Sequence, residues 1–591
     1  TIDGKQVLKG TRETPGWIHG PETALEFGFL PVTISYRKTS AAAACKLYWA
    51  SRLFPREPLP HHLLFHEEDD SQARLVERGR VLFDAHRCNR CHIRGGSLPS
   101  AEGPPFIAIA ADINPDWIVA KLRHRHPEAA DSKMPSFAYN EEEATAIGAW
   151  LWAINQPPRI VPLREEKPDK KNPTPDGLTL VRSLGCLACH KLGEEGSSSP
   201  YGGGDLSHVG GKRTADWLYT WLLQPDRINP ERTMPHFKLS PIERSHIAAS
   251  LARLGHQEGT SYERPQYDNN TQVVQRGRDL VRQARCFNCH KTPAVEVDTR
   301  GLPKLDQPVQ DWSKSCLAEH PDRESGRPCY PQADVAALRA YVEFLTSTPL
   351  DPQDLRTPQE RSGASNHGRL VLERRNCLAC HERDGAKGIV ETAGQMANTH
   401  ESLRGLSEAL IPPNLTAVGD KLQDEALLRA IDGDPDPIRL PWLRVRMPKF
   451  NHSDADREAL AAYLIGHDRI PQPDNATDTT TEQVAQAGEV DSETLLLGRQ
   501  LVGAGGFSCI ACHSVGKYEP RNTALGTRGS DLKGLGRRVR EDYYYRWTRA
   551  PLRIVPGMEM PSYEERPVKG VLDGDVHAQL TALWSALNDP R

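Results

Sequence analysis

Five stretches of the chain share one pattern of apolar and polar positions. Each opens with a glycine and continues as an apolar stretch of helical character, as in Gly79-Arg-Val-Leu-Phe and Gly277-Arg-Asp-Leu-Val. In four of the five the glycine lies nine residues before a cysteine, and the fifth copy, which begins at Gly498, has two more residues in between. The recurrence predicts tandem copies of one small domain that begins with a helix and continues into a cysteine-bearing turn.

A second predicted helix closes most copies. Ser240 and Glu243 form a capping box around a helix that begins at Pro241, and Asn140 with Glu143 resembles it. In the third copy the apolar stretch 333–345 predicts the same helix. The fold class is therefore mainly α, with five tandem helical domains. Their predicted boundaries are 71–160, 172–257, 270–348, 362–470 and 490–591.

The segments between the predicted domains are polar and rich in proline. Those at 156–175, 259–267 and 347–358 read as stiff connections, whereas 471–487, with its Asn-Ala-Thr-Asp-Thr-Thr-Thr run, reads as a flexible tether. Stiff connections favour fixed distances between neighbouring domains.

Residues 1–70 follow an alternating pattern instead. Two runs place apolar residues at every second position: Val32, Ile34 and Tyr36, then Cys45, Leu47 and Trp49. They predict two β-strands joined by a Ser/Ala-rich turn. The text around Leu47-Tyr-Trp-Ala-Ser and Pro58-Leu-Pro resembles the C-terminal part of a PA14 domain, a β-sandwich family often tied to carbohydrate binding. The alternative is a β-hairpin that decorates the first helical domain. Cys45 is expected to be a buried free thiol, or half of a disulfide.

Charge and hydropathy narrow the class of protein. The chain has 78 acidic and 74 basic side chains in 591 residues, so it lacks the basic excess of a nucleic-acid-binding protein. Its longest apolar run, 144–154, is little more than half of the roughly 18 residues that a membrane helix needs. The chain begins Thr-Ile-Asp-Gly with no signal peptide, so any expectation of export rests on its cysteines.

Ten of the 13 cysteines fall in five copies of Cys-x-x-Cys-His. This is the pattern for covalent attachment of haem c, with two thiols for the vinyl groups and an adjacent histidine for the iron. Zinc ribbons would leave one of five pairs over, and a thioredoxin-type pair would need a βαβ context. The five copies are Cys88–Cys91–His92, Cys186–Cys189–His190, Cys286–Cys289–His290, Cys377–Cys380–His381 and Cys509–Cys512–His513.

Each domain should supply a ligand for the other face of its haem. Four of the six methionines stand in the motif Met-Pro-x-aromatic, each 42–66 residues after a motif histidine: Met134, Met234, Met447 and Met560. A residue before proline is held extended, which suits a ligand presented from a loop. We therefore predict iron ligation by these four. Met558 is a minor rival of Met560, and Met396, without the proline, is expected to pack in a core.

With these motifs in place, residues 72–590 resemble class I cytochrome c domains. The resemblance implies a compact helical fold around each haem, with His/Met ligation. It also implies a proline-containing loop whose carbonyl orients the proximal imidazole. Pro104, Pro303 and Pro412 match that loop in the first, third and fourth domains, whereas the second and fifth have no obvious counterpart.

The third domain lacks the methionine. It reads Arg327-Pro328-Cys329-Tyr330 where Met-Pro-x-Phe should stand, and it holds Cys316 and Cys329, which we expect to form a disulfide. His320 is the leading candidate for the sixth ligand of this haem. An open or water-bound iron, Tyr330, Lys314 or an unbridged thiolate are the alternatives.

These features predict an electron carrier with five covalently attached haems, in the periplasm or at the cell surface, exchanging electrons with redox partner proteins. A PA14-like part joined to such domains resembles the exported cytochromes of planctomycete-type bacteria. A haem enzyme with an open third iron is one alternative, although no catalytic residue can be named. A haem subunit of a larger membrane or surface complex is another. No nucleic-acid partner and no transmembrane segment are expected.

Overall fold

A computed structural model gives the fold of the protein. It describes residues 1–14, 16–37, 45–65, 71–92, 103–124, 133–156, 158–164, 174–263, 265, 270–291, 305, 307–322, 324–330, 333–347, 364–434, 440–471 and 491–590. Pro303 and the Ser/Ala-rich turn lie outside these ranges, as do most of the residues in the predicted linkers.

Helices dominate the described residues, as the sequence predicts. The α-helices of the first three repeats are α1 (Ser71–Ala85), α2 (Phe106–Ile109), α3 (Pro115–Leu122), α4 (Glu141–Ala153), α5 (Gly177–Ser183), α6 (Ala215–Leu223), α7 (Pro225–Ile228), α8 (Pro241–Ala252), α9 (Thr271–Gln283) and α10 (Val335–Ser347). Those of the last two are α11 (Ala364–Arg374), α12 (Cys377–Cys380), α13 (Val390–Thr399), α14 (Val418–Lys421), α15 (Asp424–Ile431), α16 (Asp454–Asp468), α17 (Ser492–Val502), α18 (Glu541–Arg549), α19 (Pro551–Ile554) and α20 (Val576–Asn588).

Both predicted capping boxes are confirmed. At the start of α4 the Asn140 side chain accepts from the Glu143 backbone N–H, while the Glu143 carboxylate accepts from the Asn140 N–H. Ser240 and Glu243 make the same reciprocal pair at the start of α8. These caps satisfy backbone donors that the first turn of a helix leaves without partners, which fixes where the closing helices begin.

In the second, fourth and fifth repeats, the opening and closing helices of the same repeat cross: α5 with α8, α11 with α16, and α17 with α20. The glycine before each motif marks the crossing. A Cβ on Gly368, for example, would overlap the carbonyl oxygen of Ala459 in α16. Glycine is needed here because two helix backbones approach closely, so the repeated glycine has a packing role.

In the first and third repeats, the opening helix of each repeat crosses the closing helix of the other. Helix α1 packs against α10, and α9 packs against α4. The glycine contacts agree, because a Cβ on Gly79 would overlap the carbonyl of Ala337, and one on Gly277 that of Ala146. The predicted boundaries 71–160 and 270–348 therefore do not each enclose a crossing helix pair. Both closing helices present alanine at the crossing, so the sequence pattern does not distinguish between them.

Backbone bridges join the repeats in a regular way. Ser136 and Cys329 exchange both backbone hydrogen bonds, with N–O distances of 2.8 and 2.9 Å, and His236 and Lys449 do the same at 2.8 Å each. All four residues occupy the x position of Met-Pro-x-aromatic or its Arg-Pro-Cys-Tyr counterpart. The second halves of the first and third repeats therefore meet as those of the second and fourth do.

The N-terminal segment contains one small antiparallel sheet, β1 (Tyr48–Ser51) with β2 (Phe54–Pro58). The predicted strand at Val32–Tyr36 is not formed, and Val32 makes only an isolated bridge with Ile2. Its apolar side chains stay exposed, by 49 % at Val32 and 56 % at Ile34, so no buried face holds a strand there. Cys45 is exposed rather than buried. The likeness to a PA14 domain stays a prediction.

The hairpin packs on the last two repeats rather than on the first. Glu57 forms an ion pair with Arg553 and accepts a hydrogen bond from Trp49 Nε1 at 2.9 Å. The Arg553 guanidinium also lies 3.6 Å from the centre of the Phe54 ring. Lys46 donates to the carbonyl oxygen of Gly466, in α16. Among the residues that the structure describes, every helix is too short or too polar to cross a membrane.

Candidate haem-binding sites

The five Cys-x-x-Cys-His motifs adopt one local geometry. The residue before the first cysteine is left-handed in every motif, with φ between 55° and 99°. The backbone N–H of each motif histidine donates to the carbonyl of the first cysteine, at 2.8–3.0 Å. The left-handed residues that precede the first cysteines are Arg87, Gly185, Arg285, Asn376 and Ser508. Such a tight turn places both thiols and the imidazole of each motif in one short stretch of chain.

Backbone carbonyls orient four of the motif imidazoles through Nδ1. The acceptors are Gly204 for His190 at 2.8 Å, Pro104 for His290 at 2.9 Å, Pro413 for His381 at 2.7 Å, and Ser530 for His513 at 2.8 Å. The sequence missed Gly204 and Ser530, because their loops contain no proline at this point. In the fourth repeat the acceptor is Pro413 rather than Pro412. Pro104 orients the imidazole of the third motif rather than that of its own repeat.

These histidines suit a metal ligand. Because a carbonyl only accepts hydrogen bonds, Nδ1 carries the proton and the lone pair of Nε2 is left for iron. Burial lowers the pKa of His190, His290 and His513, which favours the neutral imidazole that ligation requires. Gly203 and Gly529 lie against the rings of His190 and His513, where a Cβ would overlap the imidazole. The donor set and the shape of these turns fit covalent haem c.

The four Met-Pro methionines are all half-buried. Trp221 Nε1 donates to Met234 Sδ at 2.8 Å, and Trp547 Nε1 donates to Met560 Sδ at 2.9 Å. Each tryptophan lies 13 residues before its methionine, a shared spacing that could have revealed both. Met396 is completely buried in a core with residues of the second repeat, in agreement with its predicted packing role.

The candidates for the sixth ligand in the third repeat lie in different places. His320 and Lys314 are exposed, whereas Tyr330 packs its ring on His86 with 5.3 Å between ring centres. Cys316 and Cys329 are free thiols, so the structure does not contain the predicted disulfide. Arg327 donates to the carbonyl of Ser315 and thereby ties this loop together without one.

Two pairs of motifs touch one another. Asn288, inside the third motif, donates to Sγ of Cys91 at 3.3 Å, and Arg90 of the first motif donates back to the Asn288 carbonyl. In the second pair Asn376 donates to Sγ of Cys189, also at 3.3 Å. Burial raises the pKa of Cys377 to about 12, and the nearby Cys189 thiol adds to the shift. These contacts could not be predicted from the sequence, because they join residues 187–198 positions apart.

Two stretches of the chain match a known protein family. A family model described as cytochrome c oxidase, cbb3-type, subunit III matches residues 74–151 and 364–464, together less than a third of the chain. These stretches contain the first and fourth motifs with Met134 and Met447. The two matched stretches are therefore similar to cytochrome c sequences, which supports covalently bound haem and a role in haem-based electron transfer. No curated protein and no solved structure matches the chain.

Proposed function

We propose that the protein carries five haem c groups, one on each Cys-x-x-Cys-His motif, and transfers electrons between redox partner proteins outside the cytoplasm. A covalently attached haem supplies a one-electron redox centre. The protein holds each centre through two thioethers and a histidine, and it tunes the potential through the sixth ligand and the hydrogen bonds around it.

The observation that carries this proposal is the contact between motifs. Asn288 joins the third motif to the first, and Asn376 joins the fourth to the second, in both cases through a hydrogen bond to a haem-attaching cysteine. A carrier needs short distances between neighbouring redox centres, and direct motif-to-motif contact provides them. An enzyme with one reactive centre would not require the same arrangement twice.

Other contacts connect the two pairs and the fifth repeat. Asp84, at the end of α1, binds Arg374 of α11 at 2.6 Å and accepts a hydrogen bond from Tyr201 of the second repeat. The fourth repeat joins the fifth through a backbone bridge between Leu422 and Val539 and through the buried Asp420, which pairs with Arg540 at 2.7 Å. These contacts favour one connected set of five centres.

Location and partners belong to the same proposal. Cysteines attached as thioethers suit a protein that matures in the periplasm or at the cell surface. The exchange partners are expected to be other redox proteins, with assembly into a larger membrane or surface complex as a further possibility. Cell fractionation followed by haem staining tests the location, and recovery of the protein in the cytoplasm would contradict it.

Intact mass spectrometry of the purified holoprotein tests the number of haems. We expect the chain plus five haems, and loss of one haem in Cys509→Ala/Cys512→Ala. Photoinduced injection of one electron, followed by transient absorption, then tests transfer. In the native protein the electron should spread over several centres. A mass with fewer than five haems, or an electron that stays where it is injected, would contradict the proposal.

Asn376→Leu probes the contact between motifs within the fully loaded protein. This substitution removes the hydrogen bonds to Cys189 Sγ and Ser199 Oγ, and it should slow exchange between the second and fourth centres while five haems remain attached. Asn451→Leu is the matched control, since Asn451 donates to a carbonyl of the second repeat without touching a motif. Equal exchange rates in the two variants would show that the motif contact is not used.

A further inference from the structure

The exchange of helices between the first and third repeats extends to the haem-binding motifs. Residues 103–106, which follow the first motif in sequence, wrap the third motif. Gly103 N–H donates to the Cys289 carbonyl at 3.1 Å, and Phe106 N–H donates to the carbonyl of Lys291 at 3.0 Å. The Phe106 ring stacks on the His290 imidazole with 5.0 Å between centres. These contacts of residues 103–106 are made with the third motif, although it is the first motif that precedes them in sequence.

Met134 also lies beside the third motif. It packs with Cys286 and Phe287 of the third motif against one apolar core, which also contains Phe106 of the wrapping loop. Val281, from the helix that leads into the third motif, is buried in that core. The described residues of the segment, 103–124 and 133–153, therefore enclose the third motif and bring the Met-Pro sequence of the first repeat to it.

The described residues of the complementary segment, 307–322, 324–330 and 333–347, enclose the first motif. Phe83 of α1 packs on Tyr341 of α10 with 5.4 Å between ring centres, and the Tyr330 hydroxyl donates to the carbonyl of His86 at 3.4 Å. Burial raises the pKa of Cys316, and the Cys91 thiol raises it further, because the two thiols are neighbours. This segment contains no methionine.

From these contacts we infer that Met134 is the sixth ligand of the iron in the haem that is attached to Cys286 and Cys289 and ligated by His290. The haem that is attached to Cys88 and Cys91 and ligated by His92 is then the one without methionine. The inference rests on the proposed attachment of a haem to each motif. It reverses the order expected from sequence, which gave Met134 to the first haem and left the third with His320 or an open position. Any ligand-exchangeable iron should therefore be sought at the first motif.

The symmetry of the paired repeats explains how such an exchange is tolerated. The backbone bonds between Ser136 and Cys329 match those between His236 and Lys449 in the second and fourth repeats, where no exchange occurs. Since the two second halves already lie side by side, either one can close over either motif while the interface stays the same. For this reason domain swapping usually has a low free-energy cost.

Two attachment-deficient variants decide the assignment. With ¹³C-methyl-labelled methionine, each methionine bound to ferrous haem gives one strongly shifted methyl signal. The native protein should show four such signals, from Met134, Met234, Met447 and Met560. Cys286→Ala/Cys289→Ala should leave three signals, and Cys88→Ala/Cys91→Ala should leave four. The opposite result, four and three, would overturn the inference.

A cross-link tests the exchange without removing a haem. Arg78 of α1 lies 2.6 Å from Asp334, just before α10, and its equivalent Arg276 of α9 lies 4.0 Å from Glu142 of α4. In Arg78→Lys, a zero-length carbodiimide should join residue 78 to Asp334. Helices paired in sequence order would instead join it to the glutamates at 141–143. That product would contradict the exchange even if the cysteine variants failed to fold.

Failure of the inference and failure of the proposed function give different results. Intact mass of the native protein reports whether five haems are attached, which the proposed function requires. If five haems are present but the methyl signals follow sequence order, only the assignment of Met134 is wrong. If the first or third motif carries no haem, the proposed function fails before the assignment can be considered.

Discussion

The carbonyl oxygen of Pro104 accepts a hydrogen bond from Nδ1 of His290 at 2.9 Å, across 186 residues of sequence. The second repeat, 172–257, lies between these two residues in the chain and closes its own helix pair. A loop that follows one motif thus orients the histidine of another. The first and third repeats therefore form one structural unit with two motifs.

Phe106 should contribute to this unit through its stack on His290. The ring is 4 % exposed and lies 5.0 Å from the imidazole centre. Phe106→Ala should cost about 3–5 kcal/mol through lost burial and a cavity. The absorption of the third haem should change as well. Urea unfolding followed by circular dichroism measures the first effect. Phe344→Ala, at a side chain that is 52 % exposed, is the control. Equal losses in both variants would contradict a buried contact at Phe106.

Trp221 should raise the potential of the second haem through its hydrogen bond to Met234. An N–H donated to sulfur draws electron density from it and favours the reduced iron. Trp221→Phe should therefore lower that potential, by at most about 40 mV if the bond is worth about 1 kcal/mol and the couple transfers one electron. Spectroelectrochemical titration measures the shift.

Trp217→Phe is the control for this substitution. Trp217 stacks on Trp221 at 5.3 Å, but its Nε1 is buried with no hydrogen-bond partner among the described residues. We expect the potential to be unchanged in this variant. A potential that stays constant or rises in Trp221→Phe would show that the hydrogen bond does not tune the methionine.

Asp468 should make the fourth repeat sensitive to acid. Burial alone would raise its pKa, but hydrogen bonds from His467 and Arg383 outweigh burial and hold the pKa below its ordinary value. A lowered pKa in the folded state gives stability that is present above the unfolded value, about 3.9, and is lost as the pH falls through the folded pKa. The repeat should therefore unfold more easily in acid than at neutral pH.

Asp468→Asn tests this pH dependence. The variant removes the buried charge partner of the Arg383 guanidinium, which is 3 % exposed, and leaves it the partly exposed Asp384, so we expect a loss of about 3–5 kcal/mol at neutral pH. The difference from the native protein should shrink as the pH falls below about 4, because the unfolded state binds a proton there, and it should vanish only below the lowered pKa of the folded carboxylate. Asp434→Asn, at an exposed partner of Lys238, should change stability little. A difference that is constant with pH would rule out a role for the charge.

Two glycines in the fourth repeat should respond oppositely to alanine. In Gly368→Ala the new Cβ would overlap the Ala459 carbonyl where α11 crosses α16, so we expect a loss of about 1–3 kcal/mol. Gly466 lies within α16 with open space around its Cβ position, and Gly466→Ala should gain about 0.5–1 kcal/mol from helix propensity. Urea midpoints compare the two variants. A neutral Gly368→Ala would show that the helices can separate freely.

Several features of the candidate sites could be predicted because they are local. The spacing of the cysteines and histidines identified the five motifs, and the caps at Asn140 and Ser240 follow from residues three positions apart. The motif glycines were visible as a repeat, although their reason, the backbone contact with a crossing helix, appears only in the fold. The tryptophans that donate hydrogen bonds to Met234 and Met560 could also have been predicted, since each lies 13 residues before its methionine.

By itself, the sequence determined the mainly α class and the haem-attachment motifs, since each is encoded within one helix or turn, and the ligation by the four Met-Pro methionines stays a prediction from it. Only the tertiary structure decided which halves pack together, how Asn288 and Asn376 join the motifs, and that β1 and β2 rest on the last two repeats. The reason is physical. Repeats with similar helix faces, glycines and alanines can pair their opening and closing helices in more than one way. Only long-range packing selects one of these pairings.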